Sequence, residues 1–173
     1  SGGWHYPEYR QYLADRGLTL KLTRDSRGAR ACAVTEGPDD VHVSHYITDH
    51  TLQLIDRYAA GRDPFFIWHN FWGPHVPCFA PQRFVDMYRD LPIPPSPSFH
   101  DPNCRERLAW QVRRYDDTLA WGPWEVLIRY YYAFTTFIDY QVGRILSHRD
   151  TRGVAENTIV IFAADHGDYL GCH

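Results

Sequence analysis

No apolar run in this 173-residue chain approaches the ~20 residues that span a bilayer, so no transmembrane helix is expected. The chain also lacks the basic excess of a nucleic-acid surface. Its 18 lysines and arginines stand against 21 aspartates and glutamates, for a formal charge of −3. Any attraction for an anionic substrate must then come from local groups or from a metal. The four cysteines, Cys32, Cys78, Cys104 and Cys172, form no C-x-x-C pair, which argues against a zinc ribbon or a thioredoxin-type site. Disulfides remain open, and with them the redox compartment. There are no internal repeats, and no signal peptide opens the chain. Compartment and oligomeric state are not legible in the residues.

What is present reads as an ordinary globular balance, with 44% hydrophobic and 23% charged residues. A chain of this length is one domain's worth and can bury roughly 70% of its unfolded surface. Pro7 suits the first turn of a helix running to about Asp15, with Gly17 as its stop. Leu18 to Leu22 alternates like a short strand. Residues 21–38, with Gly28 and Gly37, read as surface loop. Val41-His42-Val43 reads as an edge strand. His42 and His45 have no carboxylate beside them in sequence and read as solvated histidines rather than as a metal pair.

Thr48 is a good N-cap for a helix reaching about Ala60, with Ile47, Leu52, Ile55 and Ala59 on one face and Gly61 at its end. Phe65 to Phe71, FFIWHNF, is a continuous apolar run that reads as a strand buried on both faces. Directly after it, Gly73-Pro74-His75-Val76-Pro77 sets an imidazole between two prolines that restrict the backbone. A histidine held this way suits hydrogen bonding or general acid catalysis on an anionic ester.

Pro81 to Tyr88 reads as a short helix. Residues 91–102 hold five prolines and read as a loop. Residues 103–115 read as an arginine-rich helix with a solvated face. Pro123 opens the longest predicted helix, reaching about Arg152. Its core stripe is Leu127, Tyr131, Phe134, Ile138, Val142 and Ile145, and Tyr130 to Tyr132 are expected to pack it onto a sheet.

The last stretch, Asn157 to His173, carries the densest chemistry. Ile159 to Phe162 forms a second buried-strand run, which stops on Asp165, His166 and Gly167. A carboxylate and an imidazole at a strand's carboxyl end stand where open α/β sheets place ligands. They supply one oxygen and one nitrogen to a divalent cation. The expected fold class is therefore α/β, a mostly parallel sheet with helices on both faces. Phe65–Phe71 and Asn157–Ala164 would be two of its strands, and Asp165, His166 and His75 would face one cleft at their carboxyl ends.

In combination these pieces resemble the sulfatase branch of the alkaline phosphatase superfamily. PFFIWHNFWGPHVPCFAPQRF is similar to that family's strand running into Pro-His-x-Pro. The stretch from YYYAFTTF to ADHGDYLGCH is similar to its long helix, "ENT" turn and strand ending in Asp-His-Gly. The resemblance covers about residues 47–173. Gly3-Trp4-His5 has glycine where the family pattern carries lysine, and it is read as a chance echo. The resemblance implies that the chain is the middle of one sulfatase-type catalytic domain, cut at both ends.

For the parent enzyme it implies metal-dependent hydrolysis of a sulfate, phosphate or phosphonate ester, on a small molecule or a carbohydrate. The formylglycine nucleophile would lie upstream, outside this chain. Cys78-Phe79-Ala80-Pro81-Gln82-Arg83 spaces its proline one residue too far for the family's C/S-x-P-x-R, so Cys78 is rejected as that nucleophile. Asp165 and His166 would bind the metal. His75 would contact the ester group, and His173 is a weaker substrate-binding candidate. Calcium prefers an all-oxygen shell, whereas an imidazole moves the preference toward Mn²⁺ or Zn²⁺. The cation is expected to be Ca²⁺ or Mn²⁺, with Zn²⁺ ranked below them. The alternatives are a phosphodiester or phosphonate monoester hydrolase of the same superfamily, or a catalytically dead binding domain with this fold.

Overall fold

A computed structural model describes residues 4–100 and 120–171 of the chain. The predicted helix at 103–115, two of the four cysteines and His173 lie outside the described residues.

Both helices read from proline signals form, although the second begins two residues before the Pro123 expected to open it. Helix α1 spans Pro7–Asp15, opens on its proline and is followed by Gly17 at φ 63°. Helix α4 spans Trp121–Thr151 and ends one residue before Arg152 and two before Gly153, which takes φ 70°. Its buried face carries Leu127, Tyr130, Phe134, Phe137, Ile138 and Gln141. That stripe contains the expected Leu127, Phe134 and Ile138, while Tyr131 and Val142 pack at its margin. Of the tyrosine cluster, Tyr130 is buried and its hydroxyl stands 3.4 Å from the Asp25 carboxylate.

Helix α2, Val43–Ala59, starts six residues earlier than the Thr48 cap predicts. The cap is His42, whose Nδ1 accepts from the Ser44 N–H at 3.0 Å. Val41-His42-Val43 is thus no edge strand, because Asp39–Val41 is a 3₁₀ turn leading into the helix. Nor is His42 solvated. It is fully buried, donates from Nε2 to the Phe79 carbonyl at 3.0 Å, and packs edge-on to Trp4, Phe134 and Phe137. Thr48 and Thr51 lie on the helix's buried face, with Thr48 Oγ1 donating back to the Ser44 carbonyl. This local bond lets a hydroxyl go inside without an orphaned donor.

The described sheet is three-stranded and mixed. Strand β1 (Lys21–Asp25) pairs antiparallel with β2 (Cys32–Glu36), and β2 pairs parallel with β3 (Cys78–Pro81). The residues read as a glycine-flanked loop are therefore a hairpin. The short helix α3, Gln82–Asp86, begins only after Pro81 has closed β3.

The two apolar runs depart from expectation. Residues 65–71 and 158–164 are extended but unpaired, and the second is bare, with Ile159 90% and Ile161 86% exposed. A ladder needs a neighbouring strand to receive its main-chain groups, and among the described residues neither run is paired with one. The coarse α/β character stands, while a mostly parallel sheet is not formed by these residues.

One core lies between the sheet and α3 and α4, centred on Cys78, Ala80, Phe84, Leu127, Phe134 and Phe137. A second joins α1 to α2 through Tyr9, Tyr12, Leu13, Val43 and Tyr46, with the Tyr9 hydroxyl donating to the Val41 carbonyl at 2.5 Å.

Candidate metal and ester site

The His75 turn is fixed from beneath. Gly73 sits on the Phe134 ring, and Cys78 Sγ lies 3.5 Å from the Pro74 carbonyl oxygen. Both peptide bonds into Pro74 and Pro77 are cis. His75 is exposed at the tip and leans on Trp72, with ring centroids 5.1 Å apart. Its Nδ1 donates to the Val76 carbonyl at 2.5 Å, which leaves Nε2 as the outward-facing nitrogen. The turn precedes β3, so among the described strands His75 stands near the amino end of β3.

Asp165 and His166 stand on an exposed turn, with side chains 87% and 73% exposed. Asp165 Oδ1 accepts from the His166 N–H at 2.9 Å. His166 Nδ1 donates to the Gly167 carbonyl at 2.8 Å. That bond fixes the tautomer and frees Nε2, the arrangement common to metal-bound histidines. The bond to Gly167 comes first, and the Asp165 carboxylate second, among the causes that raise the pKa of His166.

His166 Nε2 lies 3.5 Å from Asp165 Oδ2. Two ligands on one cation, with bonds of about 2.1 Å, stand roughly 3.0–3.5 Å apart at angles of about 90–110°. The pair therefore fits two adjacent positions on one divalent ion. Among the described residues, no cluster of three or more His, Cys, Asp or Glu side chains is placed to enclose an ion.

Among the described residues, Cys32, Cys78, His45 and His69 are engaged elsewhere. Cys32 and Cys78 are register partners across β2 and β3 and are free thiols. Burial pushes both up to about 12, so neither is a nucleophile at neutral pH. His45 stands 3.4 Å from Asp49 within α2, and burial lowers its pKa. His69 bonds to Thr51 at 2.7 Å, and burial lowers it to about 4.

Sequence reasoning passed over two residues beside the candidate site. Arg30 Nη1 donates to Asp168 Oδ2 at 3.2 Å, joining the segment after His166 to the entry of β2. The Asp168-to-Gly171 spacing hints at a turn, but nothing in the sequence links it to an arginine 138 positions earlier.

A family model described as Sulfatase matches residues 4–172. The match takes in residues 4–46, which the sequence reading left outside the resemblance. Iduronate 2-sulfatase of Homo sapiens is 28% identical over 155 residues, covering 81% of this chain and 28% of that protein. A sulfatase of Formosa agariphila is 30% identical over 147 residues, covering 77% of this chain and 27% of its own length. An endo-4-O-sulfatase of Bacteroides thetaiotaomicron is 46% identical over 113 residues, covering 63% and 19%. The chain thus spans less than a third of the length of these curated relatives.

Proposed function

The chain belongs to the sulfatase family, and on that premise we propose that it is part of a metal-dependent hydrolase cleaving sulfate esters. The observation that carries this reading is the Asp165–His166 pair, whose free oxygen and nitrogen stand 3.5 Å apart in a family-matched chain. In this reading Asp165 and His166 hold a divalent cation. An imidazole beside a carboxylate suits Mn²⁺ better than an all-oxygen shell would, and Ca²⁺ is the second candidate. The bound cation would act as a Lewis acid on an ester oxygen.

The chain's own residues do the rest of their share by holding protons and positions. His166 keeps Nδ1–H on the Gly167 carbonyl, so its lone pair stays on Nε2. His75 keeps Nδ1–H on the Val76 carbonyl, so Nε2 is the atom that meets the ester group. A protonated Nε2 can donate to a sulfate oxygen or give its proton to the leaving ester oxygen. His173 is a further substrate-side candidate by its place after Asp165–His166. The nucleophile in this reading is a formylglycine that none of these residues supplies. Iduronate, the group in one relative's name, is a sugar acid, which favours a sulfated carbohydrate as substrate.

The same reading gives the two apolar runs a place. In a complete α/β domain, residues 65–71 and 157–164 would be parallel strands covered by helices on both faces.

The test is a parent polypeptide carrying these residues, assayed on an aryl sulfate with its metal content measured. The Asp165→Ala and His166→Ala variants should lose bound metal and sulfate release together. His75→Ala should keep the metal and lose turnover by roughly 10²-fold or more, the scale of a general acid–base group. Sulfate release that survives all three variants would overturn the reading. Cleavage of an aryl phosphodiester to a phosphate monoester and a phenol, in preference to sulfate release, would replace it with the phosphodiesterase alternative.

A further inference from the structure

The segment after Asp165 and His166 is docked by specific contacts. Asp168 uses one oxygen to accept from Arg30 at 3.2 Å and the other to accept from the Leu170 N–H at 2.9 Å. Neither partner is a free surface charge, since their side chains are 16% and 25% exposed. Leu170 takes φ 51° and packs against the main core. Gly171 takes φ 84° and lies so close to Trp124 that an added Cβ would come within 2.6 Å of its ring. The Arg30 guanidinium stands 5.6 Å from the same Trp124 ring.

Arg30 also stands at the root of the His75 turn. Its neighbour Ala31 accepts at its carbonyl from the Cys78 N–H at 3.0 Å. Cys78 in turn meets the Pro74 carbonyl. Residues 30–32 thus hold the His75 turn on one side and the segment after His166 on the other. Asp165 and His166 themselves are hydrogen-bonded within their own turn and stand exposed, so their position is set by what anchors the chain just beyond them.

We infer that Arg30 and Asp168 are a positioning pair that fixes the Asp165–His166 donors relative to the His75 turn. The inference rests on the metal reading above. A partly buried charge-assisted pair with a second main-chain bond suits this role. Neither residue touches the metal or the ester. They act through the turn at Asp168–Leu170.

Two measurements on the isotope-labelled chain separate the inference from the reading beneath it. Exchange protection of the Leu170 amide reports docking without any metal. Mn²⁺-induced broadening of the Asp165 and His166 amides reports the donors. Arg30→Ala should lower Leu170 protection by roughly tenfold or more. It should raise the Mn²⁺ concentration for half-broadening by roughly 10-fold or more, the scale of lost outer-shell support. Asp168→Asn, a smaller change that keeps the fold, should move both readouts in the same direction. The paired exchange Arg30→Asp with Asp168→Arg should restore both.

Loss of protection with an unchanged Mn²⁺ response would overturn the positioning role, as would protection that ignores every variant. A wild-type chain whose Asp165 and His166 amides ignore Mn²⁺ altogether would sink the metal reading and the positioning role with it. The Leu170 protection would then still decide whether Arg30 docks the segment.

Discussion

Gly73 lies face-down on Phe134: a Cβ built on this glycine would meet the ring at 2.2 Å. Phe134 is 1% exposed, in the middle of α4, and has no room to retreat. The absence of a side chain at Gly73 is therefore what lets the His75 turn sit on the core. Gly73→Ala should cost about 1–3 kcal/mol, the range for forcing one methyl into a packed interior. Urea unfolding of the chain measures it. A change within ±0.5 kcal/mol would show that the turn floats free of α4.

His42 gives the fold a dependence on pH. Its Nδ1 accepts from Ser44 N–H and its Nε2–H donates to Phe79, so the buried ring is neutral. Burial lowers its pKa from 6.5 to about 3, against smaller opposing effects of the Phe79 hydrogen bond and Asp39, with His45 lowering it further. The unfolded chain takes up this proton below about pH 6.5, whereas the folded chain takes it up only near pH 3. Stability present at neutral pH is therefore lost progressively as pH falls through that window. His69, lowered to about 4, adds to the same slope. His42→Asn keeps a capping oxygen but empties the space among Trp4, Phe134 and Phe137. It should lower stability at pH 7 by about 1–3 kcal/mol and flatten the slope from pH 6.5 to 4. An unchanged slope would mean that His42 is not held neutral.

The comparison of sequence with structure turns on what a residue pattern can report. Helix α1 and helix α4 were legible because proline, glycine and a repeated apolar stripe are local signals. Strand β2 was not, because Cys32-Ala33-Val34-Thr35 is short and lies between Gly28 and Gly37, which read as loop punctuation. Strand β3 ends on Pro81, which in sequence looks like a helix start. The run FFIWHNF reports a need for burial, and burial depends on neighbours that these residues do not include. At the candidate site, Asp165, His166 and His75 were readable as donors from residue type and motif. Arg30 and Phe134, which meet Asp168 and Gly73 beside these turns, come from distant parts of the chain and leave no local trace.

Asp49 ties three helices together. Its carboxylate accepts from the Tyr12 hydroxyl at 3.0 Å on α1 and from Arg144 at 2.7 Å on α4, and it stands beside His45 on α2. Removing it by Asp49→Ala leaves Arg144, whose side chain is 23% exposed, without this carboxylate. The expected loss is about 1–3 kcal/mol in urea unfolding. Among the described residues Asp49 pairs with Tyr12, Arg144 and His45, away from the Arg30–Asp168 pair, so the Mn²⁺ response of His166 should not move. A change in that response would mean that α2 and the Asp165–His166 turn are coupled by a route these contacts do not provide.

The last prediction concerns the bare runs. Along residues 65–71 exposure alternates with period two. Phe65, Ile67, His69 and Phe71 are half-buried, with Phe65 stacked on Tyr58, His69 bonded to Thr51 and Phe71 packed on the main core. Phe66 at 83% and Trp68 at 79% face outward. This is the side-chain geometry of a strand that has one face packed and no ladder. Residues 159–162 are apolar and all four are exposed, with no packed face. Unpaired, apolar, extended chain is a template for pairing with whatever strand arrives. The isolated chain should therefore self-associate as its concentration rises, and the double variant Trp68→Lys, Ile161→Lys should suppress this, as read by light scattering. Hydrogen exchange separates the two origins of that stickiness. In the isolated chain below its association threshold, the amides of Phe66, Trp68, Ile159 and Ile161 should exchange without protection. In a parent polypeptide that completes the sheet, the same amides should slow by orders of magnitude, since strand hydrogen bonds at a sheet's centre open only with large-scale unfolding. Fast exchange at these four positions in the parent would mean that the runs are not strands there either, and the parallel-sheet proposal would fail.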